Sequence, residues 1–281
     1  TETTDALLDD LVDAACIAST DNVLDPAAGF GQLLRRVHDR TDASRLEGRY
    51  NSGTNLALAA AINAARNVPA IALLAKAGFY HAGQVCVSVQ RIYAHASIAR
   101  QLAEGIAEAG RNMKVGDPTL PDTDIGPLIR QAETDRVDEW IQDAVNKGAE
   151  LISGGNKLSD STYEATMLFN APDDAVISCN EIFGPVIQVY TYDDIDDAIT
   201  RANALDVSFQ AAVFSKNIDT CMYAFKHLNG SAIMVNDHTA FRVDWMPFAG
   251  LKHSGHGVGG IPHTFKDMQV EKMMVIRSPE L

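Results

Sequence analysis

Apolar residues recur at helical spacing at the start of the chain, where Leu7, Leu8, Leu11, Val12 and Ala15 share one face of 7–17. Similar patterning predicts helices over 32–38, 56–65, 71–81, 96–113, 131–147, 195–204 and 219–228. Gly83 and Gly148 stand where two of these helices should stop, as C-terminal glycines do. Short β-branched or apolar runs predict strands at 22–25, 45–50, 85–93, 150–152, 187–192, 210–214, 232–236 and 271–277, the last at a sheet edge. The stretch 247–262 is Gly-rich and reads as irregular. Strands alternating with helices imply an α/β fold whose sheet is covered on both faces. Residues 1–70 read as a short Rossmann-like β-α-β-α segment and 71–281 as a second, larger domain.

Composition narrows the class. The 281 residues are 46% hydrophobic and 21% charged, the balance of a soluble globular protein of one or two domains. No apolar run reaches the roughly 18 residues that cross a bilayer, so no membrane partner is expected. The net charge is −14 and Lys and Arg form no basic run, so no nucleic-acid partner is expected either. Cys16, Cys86, Cys179 and Cys221 form no C-x-x-C pair, which favours reduced thiols and a cytoplasmic location. The N-terminus lacks the basic-then-apolar layout of a secretory signal. His253, His256 and His263 lie in the Gly-rich stretch at no ligating period, and no metal is expected.

Cys86 is the first candidate for chemistry. It follows Gly83, which lets the chain leave a helix at positive φ, and precedes a predicted buried strand. Such a junction can present a thiol to a cleft, although a lone Cys is also a small core hydrophobe. A helix C-terminus disfavours a thiolate, so another group has to activate it.

Further blocks follow in order. Phe79-Tyr80-His81-Ala82-Gly83-Gln84-Val85-Cys86-Val87-Ser88 resembles the nucleophile segment of aldehyde dehydrogenases. Glu181-Ile182-Phe183-Gly184-Pro185-Val186 is similar to that family's E-x-F-G-P-V signature. Val235-Asn236 resembles the strand end before its substrate-lining loop. Pro247-Phe248-Ala249-Gly250-Leu251-Lys252-His253-Ser254-Gly255 resembles its P-F-G-G-x-K-x-S-G turn, with Ala249 in place of a Gly. Lys114-Val115-Gly116-Asp117-Pro118 and Ile125-Gly126-Pro127 also match in place. The resemblance runs from about Ala75 to Ile276.

It implies a three-layer α/β/α sandwich of the aldehyde dehydrogenase catalytic-domain type, ending in an oligomerisation strand and forming a homo-oligomer. It implies NAD or NADP as cofactor and a small-molecule aldehyde as substrate. Cys86 would attack the aldehyde, with its backbone N–H helping to hold the developing oxyanion. Glu181 would bind the nicotinamide ribose and Phe183 would pack beside the nicotinamide ring. The loop 237–247, with the downstream Gly259-Gly260-Ile261-Pro262, resembles the lactaldehyde, glyceraldehyde and phosphonoacetaldehyde branch. There Arg242 would pair an anionic substrate tail, or else pair with Asp244 at the surface. Phe241, Trp245 and Phe248 read as pocket wall or core.

The pattern breaks upstream. Only 85 residues precede Cys86, and the family's E-L-G-G general-base segment, its cofactor-side Lys and its oxyanion Asn have no counterpart. A truncated form of weakened activity is one expectation, and a scaffold without catalysis is another. Val23-Leu24-Asp25-Pro26-Ala27-Ala28-Gly29-Phe30-Gly31 is similar to the first motif of S-adenosylmethionine-dependent methyltransferases, with Glu47 available for the ribose. That adds the expectation of an S-adenosylmethionine-binding fusion, set against an ordinary strand-to-helix turn.

Overall fold

The computed structural model describes residues 57–58 and 68–280. Its main sheet has seven strands in the order β3-β4-β5-β2-β1-β7-β8. They are β1 (Ala57–Leu58), β2 (Arg91–His95), β3 (Glu150–Ser153), β4 (Thr166–Phe169), β5 (Val186–Tyr192), β7 (Gln210–Val213) and β8 (Ala232–Val235). Only the β3–β4 pair is antiparallel. A two-stranded antiparallel ribbon joins β6 (Val207–Ser208) to β9 (Leu251–Lys252). The helices are α1 (Val68–Phe79), α2 (Ala96–Arg111), α3 (Gln131–Asn146), α4 (Val176–Cys179), α5 (Ile195–Asn203), α6 (Ile218–His227) and α7 (Ile261–Asp267).

The central strands are buried almost continuously, as parallel strands covered on both sides must be. The pleat of β5 sorts its side chains into two layers. Ile187 faces α1, where Gly78 leaves it room: a Cβ there would lie 2.2 Å from the Ile187 Cδ1 atom. Gln188 and Tyr190 face the other way and meet α4. Tyr190 Oη bonds Ser178 Oγ at 2.9 Å and Gln188 Oε1 at 2.7 Å, and Gln188 Nε2 donates to Ile177 O at 3.0 Å. The buried amide is thereby satisfied, which offsets its desolvation. Tyr93 stacks on Tyr190 at 5.1 Å, with the Arg201 guanidinium over both rings. This network pins the one-turn helix α4, and α4 leads directly into Glu181.

Several expectations change. Ala57 and Leu58, expected within a helix over 56–65, form a strand between β2 and β7. An uninterrupted apolar run has no period that separates a buried strand from a buried helix. The strand expected over 85–93 starts only at Arg91, because 84–90 is spent in turns that carry Cys86. β4 and α4 were not anticipated, and 247–262 holds β9 and the start of α7. The stretch 271–277 forms no strand: it pairs with no described strand, and Val270, Met273, Met274 and Val275 stand in solvent. The segment expected over 7–50, with the methyltransferase-like turn and Glu47, lies outside the described residues.

Leu102 is fully buried on α2, whose apolar face covers the sheet. Leu102→Ala is expected to cost roughly 2–5 kcal/mol, read as a lowered denaturation midpoint.

Candidate functional site

The turn that carries Cys86 is built by an unusual exit from α1. His81, Ala82 and Gly83 have φ of 50°, 56° and 69°, so three consecutive residues are left-handed. For non-glycine residues that costs energy, and the surroundings must hold it. Gly83 is the position where no other residue fits: a Cβ would fall 2.0 Å from Gly184 O. The two backbones therefore touch, and the contact brings the Cys86 segment against the Glu181 segment. The Gln84 side chain fastens the same turn, with Nε2 donating to Pro127 O at 3.1 Å and Oε1 accepting from Ile129 N at 2.9 Å. Buried Thr239 donates to Val87 O at 3.2 Å and ties the turn to the loop before Phe241.

Glu181 follows α4. The side-chain amide of Gln90 brackets it, donating to Asn180 O at 2.6 Å and accepting from Ile182 N at 3.0 Å. Arg136 Nη2 donates to Ile182 O at 2.6 Å. Cys86 and Glu181 then line one cleft of about 560 Å³, whose walls include Gln90, Arg91, Asn180 and Phe209. His253 and Ser254 form its far side. Lys252 secures them by donating to Asn203 O and Leu205 O, each at 2.6 Å, at the end of α5 where a cation is favoured. Ser254 Oγ accepts from Ser208 N at 2.8 Å.

Phe183, at φ 44° and exposed, sits in a smaller recess with Gly83, Val85 and Glu181. Phe241, Arg242 and Phe248 are not part of the cleft wall. Phe241 packs partly buried on the core. The Arg242 guanidinium lies over the Phe248 ring at 4.2 Å, and that ring meets Phe209 of the cleft wall edge-on at 4.7 Å. Among the described residues, no ion pair joins Arg242 to Asp244. The loop is ordered by His238, whose Nδ1 accepts from Ala240 N at 2.9 Å. Burial pushes the His238 pKa down, which favours the unprotonated ring that this bond needs.

Cys86 is exposed at the cleft, yet enough protein surrounds its sulfur for lost hydration to be the main cause of a raised pKa. The negative charge of Glu181 raises it further. The backbone N–H of Cys86 and the cation of Arg242 pull the other way. Lost hydration and the Glu181 charge prevail over the N–H and the Arg242 cation, so the thiol outweighs the thiolate at neutral pH. Cys179 lines the same cleft and donates to Asp173 O at 3.1 Å, while Cys221 is buried. No cluster of three or more His, Cys, Asp or Glu that could hold a metal occurs among the described residues, and no described helix is long and apolar enough to cross a membrane.

Gln84, Gln90, Thr239 and Lys252 were missed in the sequence. Each acts by one side chain on a distant backbone group, and no local period encodes that. Gln84 and Lys252 stood inside blocks quoted for the resemblance without a role of their own, and a second glutamine, Gln90, follows Cys86.

Residues 58–274 match the model of the aldehyde dehydrogenase family. A 3-sulfolactaldehyde dehydrogenase of Priestia aryabhattai is 38% identical over 207 residues, which is 74% of this chain and 43% of that protein. A lactaldehyde dehydrogenase of Methanococcus maripaludis is 34% identical over 203 residues, 72% of this chain and 43% of that one. The chain thus spans 43% of the length of these curated relatives. Among solved structures, aldehyde dehydrogenase 21 of Physcomitrella patens in complex with succinate aligns with a TM-score of 0.72 and 30% identity, over 87% of this chain and 49% of that one. A glyceraldehyde-3-phosphate dehydrogenase of Methanocaldococcus jannaschii complexed with NADP aligns with a TM-score of 0.72 and 26% identity, over 87% and 51%. The methyltransferase-like reading of 23–31 finds no support in these matches.

Arg242 stabilises the Cys86 thiolate, so removing its charge raises the thiol pKa and leaves less thiolate at a given pH. Alkylation of Cys86 by iodoacetamide at about pH 8 is expected to slow roughly twofold to threefold in Arg242→Gln. Peptide-resolved mass spectrometry reads the rate, and an unchanged or faster rate contradicts the assignment.

Proposed function

The chain belongs to the aldehyde dehydrogenase family, and from that premise we propose that it oxidises a small, anionic aldehyde to its acid with NAD or NADP, using Cys86 as nucleophile. The observation that carries this reading is the meeting of Cys86 and Glu181, 95 positions apart, in one cleft. The thiolate adds to the carbonyl carbon: the S–C bond forms and the carbonyl π pair moves to oxygen. The backbone N–H of Cys86 lies where it favours negative charge on the sulfur, and it is the donor offered to the oxyanion. Loss of the carbinol hydride to the nicotinamide would reform the C=O bond as a Cys86 thioester, and water would then break the S–C bond, releasing the acid and the thiolate.

The residues present fit the nicotinamide end of the cofactor. A carboxylate accepts hydrogen bonds only, which suits the vicinal hydroxyls of a ribose, and Glu181 offers one at the cleft. Phe183 offers an exposed ring on the other side of that carboxylate. When bound, the nicotinamide accepts the hydride. Glu181 orients it, and the opposed charges of Glu181 and Arg242 keep the thiol poised rather than permanently ionised.

An anionic substrate is supported by the cation of Arg242, which acts on the sulfur and has no partner in Asp244. The sulfonate of 3-sulfolactaldehyde, the aldehyde in the name of one relative, is an anionic tail of this kind, whereas the lactaldehyde in the name of another is uncharged. Phe241 and Phe248 shape the approach, Phe248 by carrying the guanidinium. A cytoplasmic homo-oligomer completes the reading, supported by the spaced thiols and by the exposed apolar stretch from Met268 to Ile276.

The protein is incubated with NAD or NADP and short aldehydes, with and without a sulfonate or carboxylate tail, while absorbance of the reduced nicotinamide is followed. Turnover is expected, and Cys86→Ala abolishes it. Arg242→Ala is expected to raise KM for the anionic aldehyde about tenfold, with little change for a neutral one. No signal with either nucleotide at high protein concentration rejects the enzymatic reading.

A further inference from the structure

We infer that Gln90 is a positioning residue, which holds Glu181 in place against Cys86 across the cleft; this rests on the role given to Glu181 above.

The geometry is specific. Gln90 lies four residues after the nucleophile and lines the same cleft. Its amide makes two bonds, to Asn180 O at 2.6 Å and from Ile182 N at 3.0 Å. Those groups belong to the residues immediately before and after Glu181. The direction of the amide is fixed by its partners, since a carbonyl only accepts and a backbone N–H only donates. Both peptide units around Glu181 are therefore docked on a single side chain from the nucleophile segment.

Two other polar groups of this short stretch are fastened from other directions. Asn180 Nδ2 donates to Val176 O at 2.9 Å, and Arg136 holds Ile182 O. Arg136 is itself fixed by Glu133 at 2.8 Å and by the Trp140 ring at 4.4 Å. Without Gln90 these ties still anchor the flanks. What is lost is the only one of these bonds that refers the Glu181 backbone to the chain segment bearing Cys86. The Gly83–Gly184 contact fixes how near the two segments come, and Gln90 fixes the register in which they meet.

The charge of Glu181 acts on the Cys86 sulfur, so a loosened carboxylate changes the thiol titration. Alkylation of Cys86 by iodoacetamide is measured against pH on the full chain, by peptide-resolved mass spectrometry. The variants are Gln90→Met, which keeps the volume of the side chain, Gln90→Ala, Glu181→Gln and the double variant Gln90→Met/Glu181→Gln. Thermal melting confirms that each is folded.

Glu181→Gln is expected to move the Cys86 profile to lower pH, with alkylation about threefold faster below the midpoint. Gln90→Met and Gln90→Ala are expected to move it in the same direction by a smaller factor. The double variant is expected to match Glu181→Gln. The proposal is overturned by an unmoved profile in folded Gln90→Met, or by an equal effect of that change with and without the Glu181 carboxylate. An unmoved profile in Glu181→Gln also overturns it. These titrations use neither aldehyde nor nucleotide, so they fail independently of the enzymatic reading.

Discussion

Two backbones touch where a side chain cannot stand between them. Gly83 approaches Gly184 O so closely that a single added carbon would lie 2.0 Å from that oxygen. Everything chemical in the molecule is arranged about that contact. On one side the chain spends three left-handed residues leaving α1 and then presents Cys86. On the other, the buried Gln188–Ser178–Tyr190 network fixes α4 and delivers Glu181. The cost of the left-handed turn is met by the side-chain clasps of Gln84 and Thr239, which hold it from two directions.

The electrostatics of the cleft follow from this proximity. A carboxylate near a partly desolvated thiol keeps it protonated, while a cation and a backbone N–H favour its ionisation. Their opposition lets a modest change, such as an anion neutralising Arg242 or a displacement of Glu181, alter the thiolate fraction. The stacking of Arg242 on Phe248 links that balance to the loop that also frames the cleft through Phe209.

The parts legible in the sequence were those written in local chemistry. Helical period located α2, α3, α5 and α6 to within a few residues, and the motif blocks singled out Cys86 and Glu181, which line one cleft. β1 was read as a helix because an Ala-rich run carries no alternation that would mark it as a strand. The strand expected over 85–93 shrank because Ser88 N bonds Val85 O in a turn, and β-branched residues do not reveal that. The stretch 271–277 has strand composition but no ladder partner among the described strands, and composition alone pairs with nothing. Phe241, Arg242 and Phe248 were grouped as substrate contacts from their loop. Phe241 packs partly on the core, and Arg242 lies over the Phe248 ring with its charge felt at the Cys86 sulfur.

The central claim is that Cys86 stands in the cleft as the nucleophile, in preference to Cys179 beside it. The most direct measurement is acylation by 4-nitrophenyl acetate, following the initial release of nitrophenol and mapping the acetyl group by peptide mass spectrometry. The account predicts an initial burst of one equivalent, carried by Cys86. A burst carried by Cys179, or acetyl groups spread evenly over the accessible thiols, would contradict it.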